Sequence, residues 1–157
     1  MKHHLTRPAS RRQRGAYAIE FALVFLIFFA VLYGIICYGL LFTFRMSMQN
    51  AAEEGARAAL RYQSTVQARQ DRAKAVAEQS VSWLPATVVR SAQASVCSVA
   101  GNVCVTPTCG PGWDARCQMV VTVTATNMRG LLPPLPNFAM PDQIVGKASM
   151  LLDGRAP

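Results

Sequence analysis

The chain has 157 residues, 52% of them hydrophobic, and a formal net charge of +8. That length holds one anchor and one small domain, and the charge alone would suit a nucleic-acid partner. Its distribution argues otherwise. Five basic side chains (Lys2, Arg7, Arg11, Arg12, Arg14) precede the first acid, Glu20, whereas the bases and acids after Phe44 are scattered, with no basic stripe interleaved with aromatics.

Residues 1–15 form a basic, polar leader containing Pro8, expected to be disordered when free. From Ala16 to Phe44 the sequence reads AYAIEFALVFLIFFAVLYGIICYGLLFTF, with Glu20 its single formally charged residue. As a helix, Phe21 to Phe44 extends about 36 Å, enough for a hydrocarbon core of ~30 Å. Residues 16–44 therefore read as one transmembrane helix in a phospholipid bilayer. The basic leader favours a cytoplasmic N-terminus and a C-terminal domain on the other side, although Arg45, Arg57 and Arg61 dilute the asymmetry. The run is too long for the apolar core of a cleaved secretion signal, and no small-residue cleavage site follows it.

Residues 45–84 continue as a helical stem with no proline and one glycine. Ala51, Ala52, Gly55, Ala56 and Ala59 recur at three- and four-residue spacing, a stripe that permits close helix packing but that alanine's helix propensity also explains. Gly55 discriminates, because a lone glycine inside a helix costs ~1 kcal/mol relative to alanine and marks crowding or a kink. The stem either runs on continuously, with room for a bend near Asn50 or Gly55, or restarts as a separate helix capped by Asn50, the continuous form being favoured; the helix, or a second one, ends near Trp83–Leu84 ahead of Pro85.

Residues 85–157 change period. Strands are expected in TVVRSAQASVCSV, at Met119–Thr126 and at Ile144–Gly154, with a further short strand at Val103–Val105. RGLLPPLPNFAMPD is a proline-rich crossing. Cys97, Cys104, Cys109 and Cys117 cluster here and read as two disulfides of an exported domain, with three possible pairings, while Cys37 reads as an apolar packing residue of the span. Six, four and seven residues intervene between them, without a C-x2-C knuckle, which disfavours zinc. The fold class expected is α+β: a long N-terminal transmembrane helix extended into a stem, packed on a small disulfide-linked antiparallel sheet.

Two pieces, RGAYAIEFALV at Arg14–Val24 and NAAEEGARAA at Asn50–Ala59, resemble the TadE-like family, pilin-like proteins of the tight-adherence (Tad/Flp) pilus systems of bacteria. The similar stretch runs from Arg11 to Leu60. It departs from the family pattern at Phe25 and Leu26, where many members carry a proline, and at Cys37 and Tyr38, where many carry an acid before the late glycine.

The resemblance implies cleavage after Gly15 by an aspartic prepilin peptidase on the cytosolic side, leaving Ala16 first and Glu20 fifth in the mature chain. A residue without a Cβ suits close approach of a protease. Glu20 then either pairs with a freed amino terminus, on its own or a neighbouring subunit, or sits at the interface near Arg14 and lipid head groups. The function implied is that of a minor pilin. Its partners would be the peptidase, the major pilin, other minor pilins and a membrane assembly platform, with the folded domain in the periplasm beyond the inner membrane. An assembly or secretion factor that never enters the filament, and a bitopic envelope protein with another partner, are the alternatives. Catalysis, cofactors and metals are not expected: His3 and His4 lie in the leader, and Asp71, Glu78, Asp114, Asp142 and Asp153 form no close pair in sequence.

Overall fold

A computed structural model describes residues 14–105, 107, 109–112, 115–130 and 141–152, without the side chains of residues 14–16 and 129. Most of the leader, most of the proline-rich crossing and the last five residues lie outside the described residues.

Helix α1 spans Arg14–Ala58, 45 residues. Neither Asn50 nor Gly55 breaks it. The chain turns at residues 59–65 instead, and α2 (Val66–Ser80) begins there. Thr65 starts it: its backbone is extended (φ −144°, ψ 156°), and its hydroxyl accepts the Ala68 N–H at 3.1 Å. That is an N-cap, which satisfies one of the donors a helix start leaves orphaned. Residues 45–84 therefore hold the end of α1 and a separate α2, whose cap is Thr65 rather than Asn50.

Three strands follow: β1 (Val89–Ser98), β2 (Cys117–Thr126) and β3 (Gln143–Leu151). They form one antiparallel sheet in the order β1-β2-β3, with Ala92 opposite Val123, Val96 opposite Met119 and Gly146 opposite Val123. Period-two alternation sends Ala92, Val96, Met119, Val121, Val123, Ala125 and Ile144 into the core, and leaves Ser91, Gln93 and Lys147 exposed. The α+β class read from the sequence is the observed one. The short strand expected at Val103–Val105 is absent, because Gly101 (φ 78°) and Asn102 (φ 53°) turn the chain there. The turn lets the Ser98 N–H donate to the Val103 carbonyl at 2.8 Å.

The chain divides into two compact units, Met1–Ile36 and Cys37–Pro157, with the boundary inside α1. In the second unit, α2 and the end of α1 cover one face of the sheet. Met48, Ala51, Ala52 and Ala56 of that helix segment, with Ala59 just beyond it, join Ala73, Ala77 and Val81 and the inward strand residues in one core. Leu41 and Phe44, assigned to the span by composition, pack against this core.

Candidate membrane anchor and assembly surface

In the first unit, α1 presents apolar side chains to its surroundings on every face. Tyr17, Phe21, Leu26, Phe28 and Ile35 are among those more than half exposed. Its most apolar window has a mean hydropathy of 2.6 and is 6% buried, whereas the central helix of a soluble core would be covered. Phe21, Phe25 and Phe29 repeat at i, i+4 and form a stacked ridge, with centroids 5.9 and 6.1 Å apart. Gly15 and Ala16 lie in the first turn of α1, and Glu20 follows one turn later, exposed and without an ion pair or hydrogen bond among the described residues. Gly34 and Gly39 face open space.

The small-residue stripe has another surrounding. Ala52, Gly55, Ala56 and Ala59 are buried within the second unit, against α2 and β2. A Cβ added to Gly55 would stand 2.8 Å from the Ala73 carbonyl oxygen, 2.9 Å from Ala77 Cβ and 3.2 Å from Val121 Cγ1. The glycine therefore permits a helix crossing so close that a methyl group does not fit. The chain's own fold occupies this stripe.

Sequence reasoning missed three features. Gly146 in β3 lies directly on the backbone of α1: a Cβ there would overlap Met48 and come within 2.6 Å of the Gln49 nitrogen. A glycine inside a strand pattern is itself a signal of close backbone approach. Next to it, the Gln49 amide donates to the Lys147 carbonyl at 3.0 Å and accepts the Lys147 N–H at 3.2 Å. Third, Phe44 stacks on Trp83, with centroids 5.8 Å apart and planes 6° from parallel, which joins α1 to the segment after α2.

The four distal cysteines form two disulfides, Cys97–Cys104 and Cys109–Cys117. Each closes a short loop onto the sheet at the end of β1 or the start of β2. Cys37 is free and buried. Among the described residues no three His, Cys, Asp or Glu side chains gather where they could hold a metal ion.

A long apolar helix continued into a small, disulfide-linked α+β unit defines the architecture, with one helix long and apolar enough to cross a membrane. Residues 15–57 match the family model TadE, described as TadE-like protein. The N-terminal segment, with Gly15, Glu20 and Gly55, is thus TadE-like. No curated protein and no solved structure matches the chain.

Proposed function

We propose that the chain is a minor pilin of a Tad-type pilus, processed after Gly15 and anchored in the inner membrane with its α+β unit in the periplasm. One coincidence carries the reading: the family match begins at residue 15, where the glycine, the apolar helix and its single acid meet in prepilin order. The Gly15–Ala16 bond lies in the first turn of α1, where backbone N–H groups have no intrahelical partner, so unwinding it for a protease sacrifices little. The apolar run from Tyr17 supplies the crossing: about twenty residues at ~1.5 Å each span the ~30 Å hydrocarbon core, and the helix runs on through the interface into the folded unit.

N-terminal mass analysis of the protein from cells that contain the peptidase tests the processing. The expected terminus is Ala16, and an intact Met1 terminus defeats the reading. Sheared, purified pili then separate the two roles. A minor pilin appears in the filament fraction at low stoichiometry, whereas an accessory factor stays wholly with the membrane.

A further inference from the structure

The second unit carries a groove among its described residues. It lies between the α1 segment after Cys37 and the start of β3, has a volume of about 800 Å³, and is lined by Tyr38, Leu41, Phe42, Arg45, Ile144 and Val145. That is the size of a small-molecule site. Its chemistry is two-sided. Tyr38, Leu41, Phe42, Ile144 and Val145 provide an apolar wall, and Arg45 provides one cation at the rim.

Arg45 is the first charged residue after Glu20, so it marks where the apolar run passes into water. It is exposed and has no ion pair among the described residues. Side chains on a helix lean toward its N-terminus, which inclines the guanidinium toward the span. An apolar wall below a cation, at the end of a membrane-crossing run, complements a lipid whose acyl chain and glycerol are apolar and whose headgroup phosphate is anionic. Tyr38 and Phe42, both more than half exposed, would meet the acyl region and the interface in that order.

We infer that this groove holds one anionic phospholipid, its phosphate on Arg45 and its upper acyl chain along Tyr38, Leu41, Phe42 and Val145. The inference rests on the membrane-anchored reading above. The full chain tests both separately. Alkaline extraction of membranes reports insertion first. Protein purified in mild detergent is then mixed with equimolar phosphatidylglycerol and phosphatidylcholine of the same chains, and retained lipids are counted by native mass spectrometry.

One tightly held phosphatidylglycerol is expected, preferred about fivefold, the effect of one basic residue at an anionic surface. Arg45→Gln should bring the two lipids to parity, Arg45→Lys should retain the preference, and Val145→Asp should reduce retention of both. Equal retention by the wild type, or a preference unchanged in Arg45→Gln, overturns the site. A lipid-free dimer that Val145→Asp dissociates also overturns it, and assigns the groove to a second copy. Release of the wild type by alkali overturns the anchor itself, and the lipid site with it.

Discussion

The side chain of Gln49 meets the backbone of Lys147 as another strand would, with one N–H donated and one N–H accepted across 98 residues of sequence. β3 is an edge strand, so its outward backbone groups need a partner or water. The helix supplies the partner at Lys147. Gln49→Leu removes both hydrogen bonds and should cost about 1–3 kcal/mol in urea unfolding of the detergent-solubilised protein. Gln49→Glu keeps an acceptor for the Lys147 N–H but sets a carboxylate oxygen against the Lys147 carbonyl and against Glu53, to which the amide also donates, and should cost at least as much. Amide exchange at Lys147 should accelerate in both. Unchanged exchange in Gln49→Leu would mean that water serves the edge as well as the amide does.

Four glycines on α1 and β3 divide by what surrounds them. A methyl group at Gly146 meets helix backbone and one at Gly55 meets Ala73 and Ala77, whereas Gly34 and Gly39 have nothing within 4 Å among the described residues. Gly55→Ala should destabilise the folded unit by about 1–3 kcal/mol, the ordinary range for overpacking. Gly146→Ala should cost more, since the nearest atoms in the way are all main chain of α1. Gly34→Ala should leave unfolding unchanged or raise stability slightly through helix propensity. The melting temperatures of the three variants check the order, and a neutral Gly146→Ala would show that β3 can withdraw from α1.

This contrast also shows where the sequence was legible. Periodicity in QMVVTVTATNM and the small-residue spacing around Gly55 identify β2 and a packed helix face, because both depend on neighbours close in sequence. The end of the bilayer segment is different. Cys37 to Phe44 is as apolar as the residues before it, and composition cannot separate lipid from protein core as the reason; Leu41 and Phe44 turn out to face protein. The helix break at residues 59–65 was marked only by Thr65, a capping residue with little to set it apart among the polar residues around it. Gln49 gave no signal, since its role depends on a register set by residues almost a hundred positions away.

The disulfides close loops with sequence separations of 7 and 8 residues. By loop entropy each restricts the unfolded chain by about 2.5 kcal/mol. Peptide mapping without reduction should recover Cys97 linked to Cys104 and Cys109 linked to Cys117, with Cys37 open to alkylation only after unfolding. Replacing Cys109 and Cys117 together by serine should lower stability by roughly that amount. Any linkage between the two pairs contradicts the observed pairing.

Arg69 is the one buried charged side chain among the described residues, 4% exposed on the stripe of α2 that also carries Ala73 and Ala77, and its Nε has no hydrogen-bond partner among them. A buried cation without full compensation carries a desolvation penalty that a hydrophobic side chain of similar length avoids. Arg69→Met should therefore be neutral or raise the melting temperature by a few degrees. A loss above about 2 kcal/mol would show that the guanidinium's remaining N–H groups stabilise the fold.

Glu20 stands exposed on an apolar helix with no partner in its own chain among the described residues, and a carboxylate so placed in lipid is costly until something compensates it. In the proposed mature chain it lies four residues from the new amino terminus, one helical turn away on the same face. A neighbouring subunit's terminus supplies the same charge. Glu20→Ala makes the span more apolar, so insertion and cleavage should persist while co-purification with the major pilin falls. Glu20→Gln keeps the shape and hydrogen-bonding capacity but not the ion pair, and should be impaired as well. Crosslinking of the processed protein to its pilin neighbours, scored with pilus number in the same strains, distinguishes the cases. A normal Glu20→Gln beside a defective Glu20→Ala would assign the role to hydrogen bonding rather than charge. Normal behaviour of both would remove Glu20 from assembly and leave it a residue of the membrane interface.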